Sequence, residues 1–286
     1  MKHGFSISLD AFQLKYGSSE EAWADYFYQV KWPSGYSCPQ CGHREAYTIH
    51  SRKQPLYQCR SCSHQTSLTA GTIFEGTRTS LVKWAYAIHI VACSDIGINA
   101  VQLQSLIGVT YKTAWAMLNK IRQAISSEDT AQPLSGFIQA GVAFCGKFQA
   151  STFHLTGQEH PVIFADASSD SAEHHSIKIK LVSRSHMDGK MLTPMGCTAF
   201  IRDHVVSSDE TPDIRIANSK YRSRRLGSLV ELMSRFRIWV NHTFHGLGAK
   251  RLQGYLDEFC FRQNYGNVFS NVPDHLARIC MSFKAS

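Results

Sequence analysis

The chain has 286 residues, 43% of them hydrophobic, enough for two or three compact units with cores of their own. No apolar run reaches the roughly eighteen residues of a membrane span, and the first residues, MKHGFS, lack the apolar stretch of a secretory leader, so a cytoplasmic protein is expected. The formal charge of +8 and a pI near 9.0 favour polyanionic partners, nucleic acid first among them, and the balance stays positive when four thiolates are counted around one Zn²⁺.

Residues 8–31 read as helical, with Leu9, Phe12, Trp23, Tyr26, Phe27 and Val30 on a broad apolar face. Gly17-Ser18-Ser19 breaks the segment, Ser19 is placed to cap a second helix opening Glu20-Glu21, and Trp32-Pro33-Ser34-Gly35 ends it. Next come Cys38-Pro39-Gln40-Cys41-Gly42 and Cys59-Arg60-Ser61-Cys62, two Cys-x-x-Cys knuckles seventeen residues apart. Each knuckle offers two thiolates from one tight turn, and two knuckles complete a tetrahedral structural zinc site, with two disulfides as the alternative. Ala46–Ile49 and Leu56–Gln58 read as the short strands of a zinc ribbon. The other five cysteines, Cys93, Cys145, Cys197, Cys260 and Cys280, stand singly in apolar surroundings and read as reduced core residues.

Thr69–Thr72 reads as a turn, and Ser80 as the cap of an apolar helix from Leu81 to Cys93. A short helix from Ala100 closes at Gly108, and Thr110 caps a longer one from Tyr111 to about Ser126. Short helix, glycine turn and Thr-capped helix predict a helix-turn-helix, with an ordinary three-helix bundle as the alternative. In the first reading Tyr111, Lys112, Thr113 and Trp115 face DNA, Thr110 and the helix N-terminus suit a phosphate, and Lys120 and Arg122 touch the backbone. The polar run Ser126–Pro133 marks a boundary. Beyond it Phe137–Cys145, Phe148–Leu155, Val162–Ala165, a half-exposed Ile177–Val182, Cys197–Ile201 and Ile214–Ile216 read as strands. Leu226–Val240 and Arg251–Gln263 read as helices, together giving a mixed sheet flanked by helices. Lys220, Arg222, Arg224 and Arg225 form a basic run suited to a DNA backbone or to plain solvation. His242 and His245 are a weak metal pair.

Four stretches carry a resemblance: Lys31 to Gly42, Phe74-Glu75-Gly76-Thr77, Val109 to Trp115, and Tyr255 to Asn264. In this order the chain resembles insertion-sequence transposases of the ISXO-two-like type, the IS fifteen-ninety-five family, over nearly its whole length. The resemblance implies an α+β multidomain chain: a helical segment at 1–36, a zinc ribbon at 37–68, a helix-turn-helix region at 69–128 and an RNase H-like mixed α/β domain at 134–286. Such a domain cuts and joins DNA with two divalent ions, Mg²⁺ or Mn²⁺, held by acids on two neighbouring strands and an acid or Asn on a later helix.

Those acids are replaced here. Gly141 stands where the family has its first aspartate, Arg202 where it has the second, and Val230 or Gly227 at the third position. Asp166, Asp203 and Glu231 are the remaining weak catalytic candidates, alongside Asp170 and Asp188, all of which also read as surface carboxylates. The expectation is a zinc-containing, DNA-binding, nucleoid-associated protein of transposase descent with a degenerate site. An active transposase and a protein-binding scaffold are the alternatives, and assembly with a second copy is left open.

Overall fold

The computed structural model describes residues 12–14, 17–49, 55–94, 97–146, 152–168, 175–206, 213–223, 226–244, 248–266 and 271–283. It divides into two compact units, residues 1–124 with 271–286, and residues 125–270.

In the first unit α1 (Glu20–Lys31) begins where the Ser19 hydroxyl accepts the Ala22 N–H at 3.3 Å. Glu20 and Glu21 sit in its first turn, against the positive end of the helix. The Glu20 carboxylate also accepts the Leu81 N–H at 2.9 Å, so it serves the N-terminus of a second helix as well. The ribbon is a three-stranded antiparallel sheet, β1 (Ala46–Ile49), β2 (Leu56–Cys59) and β3 (Gln65–Ser67), in that order. Its third strand is an addition to the sequence reading. α2 (Leu81–Cys93), capped by Ser80, is buried nearly all round, and Trp84 meets Phe74, which meets Phe27 of α1, with ring centroids 5.0 Å apart at each step. α3 (Ala100–Ile107) starts with a reciprocal capping box between Asn99 and Gln102 and ends at Gly108. Gly108 has φ 60° and ψ 52°, a left-handed conformation that costs an L side chain about 1–2 kcal/mol. α4 runs Tyr111–Ala131, past the expected stop near Ser126, because no glycine or proline interrupts the polar run before Pro133.

The second unit is built on β4 (Phe137–Gly146), β5 (Glu159–Ser168) and β6 (His175–Leu181), an antiparallel meander. A two-stranded ribbon, β7 (Met187–Asp188) and β8 (Met191–Leu192), and a helix, α5 (Pro194–His204), follow. β9 (Ile214–Ala217) then adds to β4 in parallel, giving the order β6-β5-β4-β9. α6 (Lys220–Ser223), α7 (Gly227–Phe244) and α8 (Leu252–Tyr265) complete the unit. One sheet face, with Ile138, Ala140, Val142, Ile163 and Ala165, packs on Phe200 of α5. The other, with Ala143, Cys145, Val162, Phe164 and Ile179, packs on Phe236 and Trp239 of α7 and on Leu256 and Phe259 of α8. Cover on both faces explains why β4 and β5 are near-continuous apolar runs.

Four expectations are corrected. Cys197–Ile201 is helical: Pro194 opens α5, the Thr193 hydroxyl accepts the Gly196 N–H at 3.2 Å, and a capped start outweighs the strand-like run. β6 is not half exposed, since Lys178 and Lys180 are buried. Of the strand expected at Phe148–Leu155, residues 147–151 lie outside the described residues and 152–155 are not strand. The last helix, α9 (Val272–Ser282), groups with the first unit, where the expectation had run the C-terminal domain on to residue 286. There the Ile73 N–H reaches the Cys280 carbonyl at 3.2 Å, and the Tyr26 hydroxyl donates to Asp274 at 2.5 Å.

Candidate metal centre and catalytic cleft

The two knuckles have the same backbone geometry. Cys38 N–H reaches the His43 carbonyl at 2.9 Å and Gly42 N–H the Cys38 carbonyl at 2.9 Å; Cys59 N–H reaches His64 at 2.9 Å and Ser63 N–H reaches Cys59 at 3.1 Å. The residue after each second cysteine is left-handed, Gly42 at φ 75° and Ser63 at φ 58°. Ser63 therefore holds a glycine-like conformation that its residue type does not announce.

All four sulfurs lie within 4.8 Å of one another, with Cys38–Cys62 and Cys41–Cys59 each at 3.6 Å. A disulfide needs about 2.05 Å, whereas thiolates about 2.3 Å from a tetrahedral zinc stand about 3.8 Å apart. All four are free cysteines, so the disulfide alternative falls and the set fits zinc. Burial opposes ionisation of Cys38, but the N–H groups of Cys41 and Gln40 outweigh it and bring its pKa down to about 6. The His64 N–H favours the Cys62 thiolate, yet burial and three neighbouring sulfurs push that thiol up to about 12. One sulfur ionises at the expense of another, and a dication relieves that conflict by holding all four as thiolates.

Lys31 ties α1 to the ribbon by donating to the carbonyls of Leu68 at 2.8 Å and Ala70 at 2.6 Å, and burial pulls its pKa down to about 8. In the Phe74–Thr77 stretch, Phe74 is wholly buried and Thr77 accepts the Trp84 indole N–H at 3.0 Å. Lys31 and the Phe74–Thr77 stretch therefore act as packing devices.

The candidate DNA-facing residues divide. Thr110 and Lys112 are exposed, Tyr111 is 53% exposed, and Thr113 and Trp115 are half-buried; the Thr110 hydroxyl accepts the Thr113 N–H at 3.2 Å. Lys120 is half-buried and donates to the Glu75 carbonyl at 2.9 Å. Arg122 is only 5% exposed, one turn behind the buried Leu118, so it faces the core and is withdrawn as a backbone contact. Lys220 is half-buried and Arg222 exposed on α6, while Arg224, Arg225, Asp170 and the side chains of His242 and His245 lie outside the described residues.

Two positions at which the resemblance expects acids come together, Gly141 and Val230, while Gly227, the alternative for the third, is not in the same lining. Gly141 on β4 and Val230 on α7 line one cleft of about 310 Å³, with Lys220, Ser223, Ser234 and Arg237. Val230, Ser234 and Arg237 recur at the four- and three-residue spacing of one helix face. Arg202 is not there. It lies on α5, exposed, with its guanidinium on the Asp203 carboxylate at 2.7 and 3.0 Å. Gly141 lies between two strands, paired with Phe164 of β5 on one side and Ala217 of β9 on the other. Asp166, Asp203 and Glu231 do not converge. Asp166 shares its sheet face with Phe164, toward α7, whereas Asp203 sits on α5 beyond the opposite face, and Glu231 is exposed on α7. Asp188 is exposed on β7.

What the sequence reading missed is a buried charge cluster. Lys180 reaches Asp129 at 2.5 Å and Asp257 at 2.8 Å, and Lys178 reaches Asp129 at 2.8 Å. Burial works against the Lys180 cation, but the two aspartates outweigh it and raise its pKa. His204 beside them is pushed down to about 4, by burial first and then by the charges of Lys180 and Lys178. Glu258 pairs with Arg262 at 2.9 Å, both buried, which accounts for further residues of the Tyr255–Asn264 stretch. The available signal was an alternating Ile-Lys-Ile-Lys strand facing a helix with two consecutive acids.

Among the described residues no helix is long and apolar enough to cross a membrane. No curated protein and no solved structure matches the chain. Residues 18–65 match the family model described as a transposase zinc-ribbon domain, which takes in α1, both knuckles and the first residue of β3. The N-terminal segment is therefore similar to transposase zinc ribbons, and its four cysteines form a zinc-ribbon site.

Proposed function

We propose that the chain is a zinc-containing DNA-binding protein of transposase descent that no longer performs strand transfer. The observation that carries this reading is the cleft shared by Gly141 and Val230, whose lining among the described residues has no carboxylate and has Lys220 and Arg237 instead. Two-metal chemistry needs acids there to hold cations about 3.5–4 Å apart. Descent is supported by the ribbon match and by the second unit, in which a three-stranded meander takes a parallel fourth strand beside β4, as an RNase H-like reading expects of its two acid-bearing strands. DNA binding is supported by the capped α3, left-handed Gly108 and α4, whose first turn exposes Thr110, Tyr111 and Lys112, and by the +8 charge. The ribbon would order the N-terminal unit, and zinc supplies no chemistry to DNA in this reading.

The test pairs binding with cutting. Zinc-loaded protein is mixed with duplex from the DNA flanking its own gene, with and without Mn²⁺. Retardation that weakens steeply between low and moderate salt, is reduced by Lys112→Ala, and leaves both strands intact is the expected result. Mn²⁺-dependent nicks at defined ends would return the protein to the working transposases. Absence of salt-sensitive binding would favour a protein-binding scaffold.

A further inference from the structure

We propose that the cleft between β4, α6 and α7 is a metal-independent site for the phosphodiester backbone of a nucleic-acid strand. This rests on the nucleic-acid reading above and gives a ligand to the cleft that catalysis has left.

The floor of the cleft is the β4 backbone from Gly141 to Ala143, and the Gly141 position offers no side chain to keep a ligand off the strand. One wall is α7, with Val230, Ser234 and Arg237 aligned along its length. The other is α6, held to the floor by the Ser223 hydroxyl, which donates to the Val142 carbonyl at 3.0 Å, with Lys220 also in the lining. The Arg237 guanidinium stands close enough to the sheet to act on the buried Cys145 thiol, which burial raises to about 12 and Arg237 draws the other way.

Among the described residues of this lining, a pair of divalent cations would meet two side-chain cations and no carboxylate. A phosphodiester meets the reverse: a guanidinium fork suited to two phosphate oxygens, an ammonium, and the exposed Ser234 hydroxyl as a further donor. The volume, about 310 Å³, is at the lower end of small-ligand pockets, enough for a phosphodiester group.

The probe is 5′-phosphorylated tetrathymidylate, too short to fill a helix-turn-helix and the ribbon, titrated calorimetrically into the zinc-loaded full chain with and without added Mg²⁺. Binding without Mg²⁺ is expected, weakened about tenfold or more by Arg237→Glu, as loss of a charge-assisted contact implies. Lys220→Gln should weaken it less and Lys112→Ala should leave it unchanged. Arg237 is exposed, so Arg237→Glu should keep the parent circular-dichroism melt. No binding, binding only with Mg²⁺, or binding indifferent to both Arg237→Glu and Lys220→Gln overturns the proposal. Duplex retardation by the same samples, lost in Lys112→Ala, would then leave the DNA-binding reading standing. Tetranucleotide binding without any duplex retardation would remove that reading and keep this one.

Discussion

Lys178 and Lys180 lie on β6 at positions where alternation with isoleucine predicts water, yet Lys178 ends against the half-buried Asp129 and Lys180 against Asp129 and the buried Asp257. A lysine buried alone would shed its proton, but here the Coulomb attraction of Asp129 and Asp257 exceeds the burial cost for Lys180. The cluster determines how a neighbour titrates. His204 has a folded pKa of about 4 against an ordinary 6.5, because burial and the two ammonium groups oppose its cation. A depressed pKa means that the unfolded chain takes up this proton first as pH falls. The stability contributed by neutral His204 is therefore whole above about 6.5 and drains away toward about pH 4. The urea midpoint of the second unit should fall between neutral pH and pH about 4.5, and His204→Gln should flatten that part of the profile. Equal slopes in the two proteins would mean that the imidazole is hydrated in the fold.

At the scale of elements, α8 does what a fifth strand would do. Along its inner side the Gln253 amide donates to the Ile179 carbonyl at 3.0 Å and accepts the Leu181 N–H at 2.8 Å. Asn264, three turns on, accepts the Ile177 N–H at 2.8 Å and donates to the Ile177 carbonyl at 3.0 Å. Two side-chain amides thus satisfy four backbone groups on the outer edge of β6, the kind of edge that otherwise recruits another strand. Replacing both by alanine removes four hydrogen bonds, each worth about 1 kcal/mol. Faster amide exchange at Ile177 and Leu181 and a new tendency to associate should follow. Unchanged exchange would show that water serves the edge equally well. This element also shows where the sequence was legible. The knuckles could be read because thiolate spacing fixes their chemistry, and α3 and α4 because Asn99, Gly108 and Thr110 punctuate them. The role of Gln253 and Asn264 could not be read, since an amide facing backbone leaves no hydrophobic period. α5 was misread for the complementary reason: its Cys-Thr-Ala-Phe-Ile run has strand-like residues, and the decision rested on the Thr193-Pro194 start before it.

For the molecule as a whole, the chain order of the two units is the telling feature: the second, which begins within α4, is inserted before α9, and the first is completed only by α9. α9 buries Val272, Leu276, Ile279 and Met281, and each such side chain is worth about 1.5–3 kcal/mol when withdrawn from water. Their sum is comparable to the entire stability of an ordinary domain, about 5–15 kcal/mol. The first unit also loses the Cys280 carbonyl that receives the Ile73 N–H, next to Phe74 and Trp84 in its aromatic core. Ending the chain at Ser270 should therefore unfold or loosen the first unit, with amide protection lost in α1 and α2, while β4 and β5 keep theirs. Zinc can still stabilise the knuckles in such a truncation, since all four cysteines remain, so protection around Cys38 and Cys59 should outlast that of α2. Hydrogen exchange read by mass spectrometry separates these segments in one experiment. Full protection of α2 without residues 271–286 would mean that the aromatic core around Trp84 is sufficient alone. Loss of protection in β4 as well would mean that the two units fold as one cooperative body, and that a binding loss in either could not be assigned to its own site.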